Sequence, residues 1–404
     1  MTATLRRTLI TASGALALLG AQGAGAQLTI RLTGVPAGTA GDIYIAGSFN
    51  NWNPADSAYR LAADGGEYVI ILPATVRGAV EFKFTRGSWE TVELDSAGNG
   101  VQNRSVVIPE SGAATYTAAV GGWQDPARVP VRRSTARATV SVLDTAFPMP
   151  QLGRTRKVWI YLPPDYATSG RTYPVLYMHD GQNVFDDSTS YAGEWGVDEA
   201  LDSLHAAGDP GAIVVAVDNG QQLRMNEYSP WRHPRHGGGE GDAYADFLAL
   251  TLKPWIDRHY RTRPGLESTG LMGSSMGGLI SLHAALRHPG VFGRVGVFSP
   301  SLWFSDSVYV TARAARAPEP RPRFYFLSGG LEGPADRPHV VVADQQRMVD
   351  SLAAAGWRVG AEIHAAAPED GRHSEWFWRR EFPAAYRWLF ADDDPCAAPA
   401  DPPR

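Results

Sequence analysis

Beyond Gln27 the chain alternates apolar and polar positions in short runs broken by turn residues. Leu28–Leu32, Asp42–Ala46, Glu67–Leu72, Val80–Thr85 and Ser105–Ile108 read as strands, and few residues nearby suggest a helix. Short, evenly spaced strands predict an all-β, immunoglobulin-like sandwich over residues 27–122. A Pro-, Gly- and Arg-rich connector covers 123–137. From Ala138 the period changes. Runs such as Val158–Leu162, Val175–Met178, Ile213–Val217, Gly270–Gly273, Val295–Phe298, Phe324–Leu327 and Ala361–His364 alternate with helical stretches. The helical stretches are Trp195–Ala206, Asp242–His259, Gly277–Arg287, His339–Ala355 and Ser374–Leu389. That alternation predicts an α/β unit over 138–390, a mostly parallel sheet with helices on both faces. In such sheets chemistry gathers in the loops beyond the carboxyl ends of the strands.

The ends differ from the middle. Arg6 and Arg7 precede an apolar stretch, and Ala24-Gly25-Ala26 forms a small-residue cleavage pattern. Residues 1–26 therefore read as an export signal, with the mature protein secreted or periplasmic. The stretch is short of the roughly 20 residues that span a bilayer. Residues 391–404, rich in Asp, Pro and Ala, read as a disordered tail holding Cys396, the single cysteine of the chain. One thiol makes neither an internal disulfide nor a cysteine metal cluster. Of the 404 residues 44% are apolar and 20% charged, as in soluble globular proteins, and a net charge of −5 gives no electrostatic case for nucleic acid. The twelve Trp and fifteen Tyr suit flat, partly polar ligands as well as cores.

One segment carries chemistry directly. Gly273-Ser274-Ser275-Met276-Gly277 is a G-x-S-x-G run with an apolar strand before it and a helical pattern after it, the strand–turn–helix setting of a nucleophile elbow. Ser275 is the candidate nucleophile of an α/β-hydrolase. The backbone N–H of Met276 is a candidate oxyanion donor, and Gly181 or Gln182, after the strand ending at Met178, supplies the second. A serine needs a base, and in this fold the chain order is serine, acid, histidine. Among His288, His339, His364 and His373, only His373 lies in a loop between the last strand and the last helix. Glu332 is the first carboxylate after the strand Phe324–Leu327 and the preferred acid, with Asp336 its competitor and Asp344 too far along. His233-Pro234-Arg235-His236 lacks a third ligand at metal-site spacing, and Gly237-Gly238-Gly239 reads as a flexible loop. No metal and no cofactor is implied.

Together these residues resemble the esterase family that includes enterochelin and feruloyl esterases, acetylxylan esterases, S-formylglutathione hydrolases and mycolyltransferases. Tyr177 to Phe185, Gly273 to Gly278, Phe298 to Trp303 and His373 to Trp378 carry the likeness. It implies a serine carboxylic-ester hydrolase with Ser275 and His373 as nucleophile and base. The family's acid is often Asp, where this chain offers Glu332. The resemblance also places Trp303, Asp180 and Arg224 at the substrate; Arg224 would contact an anionic substrate or pair with Glu227. The front unit is similar to starch- and glycogen-binding modules, carried by Gly47 to Pro54, Glu81 to Phe84, Gly87 to Glu90 and Asn103 to Ser105. That likeness implies sugar contacts from Trp52, Lys83, Trp89 and Asn103, unless the unit is a spacer. The substrate expectation is an acyl or feruloyl ester of carbohydrate. The alternatives are a siderophore ester, acyl transfer, or sugar binding on an inactive hydrolase scaffold.

Overall fold

The computed structural model describes residues 27–96, 98–109, 111–124, 133–316, 318–334 and 336–390. The expected export signal, the acidic tail with Cys396 and residues 125–132 of the connector lie outside them. The chain divides into two compact units, Met1–Val129 and Pro130–Arg404.

Among its described residues the front unit is built from strands apart from two single helical turns, Ser57–Tyr59 and Trp89–Thr91. One four-stranded sheet contains Ala62–Asp64, Glu67–Ile71, Gln27–Gly34 and Ala113–Ala119 in spatial order. A three-stranded sheet contains Tyr44–Gly47, Gly78–Thr85 and Arg104–Ile108. Alternate side chains of both sheets, Leu28, Ile30 and Leu32 from one and Ile45, Phe82 and Phe84 from the other, share one core. That is the sandwich the alternation predicts. The strand Ala113–Ala119 went unread because Ala and Thr give it no apolar period. It is held by parallel pairing with Gln27–Gly34.

The second unit has one eight-stranded sheet, numbered here in chain order: β1 Val140–Met149, β2 Arg154–Tyr161, β3 Val175–His179, β4 Ile213–Val217, β5 Thr269–Ser274, β6 Arg294–Phe298, β7 Arg323–Leu327 and β8 Ile363–Ala366. The spatial order is β1-β2-β4-β3-β5-β6-β7-β8. The β1–β2 and β2–β4 pairs are antiparallel and all others parallel. Strand β1 is an addition to the sequence reading. Strand β8 starts two residues later than expected, because Arg358 and Glu362 close a local turn with an ion pair and a backbone bond.

Both faces of this sheet are buried, which is why its strands read as continuous apolar runs. Successive residues enter opposite cores: Val175 and Tyr177 on one side, Leu176 and Met178 on the other; Phe324 and Phe326 against Tyr325 and Leu327. Helices α1 Val197–Ala206, α2 Met276–Arg287, α3 Val340–Ala354 and α4 Glu375–Phe390 are among those covering the faces. No helix among the described residues is long and apolar enough to cross a membrane.

Candidate active site

Strand β5 runs straight into α2 through Ser275, whose backbone sits at φ 58° and ψ −122°. That is a sparsely populated region for a residue with a side chain, costing on the order of 1–3 kcal/mol, and it persists only where the surroundings over-determine it. Here Ser275 N–H donates to the Phe298 carbonyl at 2.9 Å, and the Ser275 carbonyl accepts from Leu279 and Ser301. The glycines of the motif have a steric reason: a Cβ on Gly273 would stand 2.9 Å from both Gly277 and the His179 ring. The turn thus lifts the Ser275 hydroxyl to the N-terminus of α2, where the first N–H groups lack intrahelical acceptors. Its oxygen shares a hydrogen bond of 3.2 Å with Ser301 Oγ.

His373 lies between β8 and α4, and its Nδ1 is 3.0 Å from Glu332 Oε2. With the proton on Nδ1, Nε2 keeps its lone pair for a proton acceptor's role. The Glu332 carboxyl is fully buried and its other oxygen is saturated: Oε1 accepts from Ser299 Oγ at 2.6 Å and from Gly329 N–H at 2.5 Å. Ser299 in turn accepts from Trp378 Nε1 at 2.9 Å, and the Trp378 ring meets His373 edge to face at 5.2 Å. Asp336, by contrast, is exposed and pairs with Arg337. The loops carrying Glu332 and His373 touch backbone to backbone. A Cβ on Gly329 would lie 2.2 Å from the Gly371 carbonyl carbon, and one on Gly371 would lie 2.6 Å from Gly329 Cα. Leu331 N–H closes the contact by donating to the Gly371 carbonyl. The other histidines are engaged elsewhere: His288 ends α2 against Asp246, His339 precedes α3, and His364 stacks on Tyr325 at 4.7 Å.

After β3 the chain makes a tight turn, with Asp180 left-handed at φ 56° and Gly181 packed so that a Cβ would meet the β4 backbone at 2.8 Å. Asp180 is buried and accepts from Asn219 at 2.6 Å and, through both oxygens, from Arg224 at 2.6 and 2.8 Å. Burial alone would raise its pKa, but the Arg224 guanidinium and Asn219 hold it below the usual carboxylate range. Arg224 therefore grips Asp180, not Glu227, which is taken by Arg154 and Arg156 of β2. Tyr228 OH accepts from Asp180 N–H at 3.1 Å, and Gln182 Oε1 accepts from Asn219 N–H at 3.2 Å. Beneath, His179 is buried against Tyr228 and Tyr244, its Nδ1 3.1 Å from Tyr244 OH. Burial pushes its pKa down to about 4, so the ring is neutral near pH 7.

Trp303 is 56% exposed, which removes it from the core. It follows Ser301 in the short turn Leu302–Phe304. Glu375 opens α4; burial raises its pKa to about 7, partly offset by its own backbone N–H and by His373. Gly237 and Gly238 do not form a flexible loop: they pair with Arg232–His233 in a two-stranded ribbon. In the front unit the Trp52 and Trp89 rings lie 6.2 Å apart at 40° to one another, Asn103 Nδ2 donates to Glu81, and Lys83 is half-buried. Sequence reasoning gave no role to Ser299, Ser301 and Trp378, though they lie in segments that carry the family likeness, nor to Asn219 and the Tyr228–Tyr244 pair. The first two follow the carboxyl end of β6, where an α/β sheet concentrates function; Asn219 and the tyrosine pair have no local signature. No cluster of three metal-ligating side chains occurs among the described residues.

Residues 150–389 match the family described as "Putative esterase". The chain is 28% identical over 280 residues to an iron(III) enterobactin esterase of Dickeya dadantii, covering 65% of this chain and 58% of that protein. It is 43% identical over 102 residues to an alpha-amylase of Niallia circulans, 24% of this chain and 8% of that one. In fold it is similar to the enterobactin esterase of Shigella flexneri, with a TM-score of 0.52 at 16% identity over 87% of this chain and 88% of that one. With well over half its length matched, the chain belongs to the esterase family of α/β-hydrolases.

Proposed function

We propose that this esterase cleaves carboxylic esters through an acyl-enzyme on Ser275. The observation that carries the reading is a strained serine at a helix N-terminus, in a unit that also holds a histidine on a buried carboxylate. Ser275 Oγ attacks the ester carbonyl carbon while its proton passes to His373 Nε2. The carbonyl oxygen gathers negative charge, met by Met276 N–H and an N–H of Gly181 or Gln182. The C–O bond to the alcohol breaks and the alcohol leaves with the proton from His373. Water then gives a proton to His373 and attacks the acyl carbon; the bond to Ser275 Oγ breaks, Oγ takes the proton back from His373 and the acid leaves. Glu332 accepts from Nδ1 throughout and stabilises the imidazolium. Ser275→Ala should lower nitrophenyl-acetate turnover by on the order of 10⁵-fold with an unchanged unfolding midpoint. Retained turnover sinks the scheme.

For the substrate we favour an acyl or feruloyl ester of a carbohydrate. The adjacent Trp52 and Trp89 rings support sugar binding by the front unit, to which Lys83 and Asn103 would add hydrogen bonds. A siderophore ester is the second reading, favoured by the likeness to the Dickeya protein over 280 residues. Acetyl-xylan, methyl ferulate and a ferric siderophore assayed side by side separate them: a kcat/KM highest on the siderophore overturns the first reading. Trp52→Ala and Trp89→Ala should abolish retention on insoluble glucan or xylan; unchanged retention removes the sugar site.

A further inference from the structure

We propose that His233, His236 and Trp303 form a ring platform beside Ser275 that takes the flat face of an aryl group on the substrate ester. The inference rests on Ser275 being the nucleophile and concerns what lies next to it. Ser301 is bonded to Ser275 twice, through the hydroxyls at 3.2 Å and by donating its N–H to the Ser275 carbonyl at 3.0 Å. Trp303 follows two residues later. Its neighbour Phe304 is buried at 2% exposure, whereas Trp303 is 56% exposed. One ring anchors the turn and the other is presented.

The presentation is built. The two imidazoles lie 4.5 Å apart at 37°, and Trp303 crosses them at near right angles, 6.0 Å from His233 and 5.6 Å from His236. His233 also packs on Phe304 at 5.3 Å. The ribbon that carries the histidines is tied down: Gly238 N–H donates to Asn226 Oδ1 at 2.9 Å and Gly239 N–H to the Ser229 carbonyl at 2.8 Å. Asn226 stands two residues from Arg224, whose grip on Asp180 fixes the loop after β3. His233 Nδ1 accepts from Arg235 N–H, so this ring's orientation is set.

The chemistry of the platform selects its ligand. Burial first, and the charge of Arg235 with it, holds both imidazoles below their usual pKa, so near neutral pH all three rings are uncharged π-faces. Such faces favour a planar arene over an alkyl chain by roughly three- to tenfold in binding.

The test compares kcat/KM for methyl cinnamate, with the ring on the acyl side, and benzyl acetate, with it on the alcohol side, each divided by that for methyl butyrate. In Trp303→Ala and His236→Ala at least one of these ratios should fall by roughly three- to tenfold. His236→Phe, which keeps a ring but no nitrogen, should restore it, and Arg235→Ala, which removes no ring, should leave both ratios within about twofold of the parent. Ratios unchanged in both ring-removing variants, or a fall that His236→Phe does not rescue, overturn the platform. Ser275→Ala keeps the two ideas apart: if it abolishes turnover of all three esters while the ratios ignore the rings, the nucleophile stands and the platform falls.

Discussion

Two buried carboxylates flank the candidate site, and their partners differ in kind. Asp180 faces a guanidinium and an amide; Glu332 faces a hydroxyl, a backbone N–H and an imidazole. The charge of Asp180 is neutralised on the spot, so it works as a clamp on the turn after β3. Among the described hydrogen-bond partners of Glu332 there is no guanidinium or ammonium group. Its charge stays available for the imidazolium that forms when His373 takes a proton. A buried ion pair holds shape, whereas a buried carboxylate with neutral donors stores electrostatic potential for a charge that comes and goes.

Four changes test that contrast. The largest effect is expected for Glu332→Gln, which keeps the shape and removes the charge: kcat should fall by on the order of 10³- to 10⁴-fold in an ester assay. Asp336→Asn should stay within about twofold, and the reverse ranking would transfer the acid's role. Next comes Arg224→Met, which strands the Asp180 charge; chemical denaturation should show a loss of about 3 kcal/mol. A loss below about 0.5 kcal/mol would mean that the clamp carries no stability. Ser299→Ala leaves Glu332 charged but removes one of its donors. Kcat should fall about tenfold, with a small shift in melting temperature. An unchanged kcat would assign Ser299 to packing.

The smallest effect concerns a third carboxyl, Glu375, which feels His373, Asp180 and Arg224. Burial raises its pKa from 4.5 to about 7, so the fold favours its protonated form. The stability it contributes is complete below about pH 4.5 and is lost as pH climbs to about 7. Glu375→Gln should flatten the decline of unfolding free energy across that window by about 1 kcal/mol after allowance for solvent screening. Identical pH profiles for the two proteins would contradict the assignment.

The contrast also explains what sequence could disclose. The elbow at Ser275 was legible because everything it needs lies within a few residues: a strand, two glycines and a helix. His373 was legible from its place in the succession of elements. The choice between Glu332 and Asp336 was not, because both follow the same strand. The choice depends on Ser299, 33 residues upstream, which donates to Glu332. The Arg224–Glu227 pair, one of the two alternatives for Arg224, fails for a related reason. Two arginines of β2 occupy the Glu227 carboxylate, and Arg224 reaches Asp180, 44 residues away. The ribbon at Gly237 and Gly238 escaped because two paired residues make no period. The sheet itself was readable wherever both faces are apolar, and failed at β1, an edge strand whose register is interrupted twice.

The contact between Gly329 and Gly371 has a consequence for inheritance and for engineering. Each residue forbids a side chain on the other, so neither position can drift by itself. Exchanging only one of these loops with a relative whose glycine pair is spaced differently would force the backbones apart, and with them the acid and the histidine. A chimera that moves residues 329 and 371 together carries the geometry along. The two segments, separated along the chain, work as one structural module.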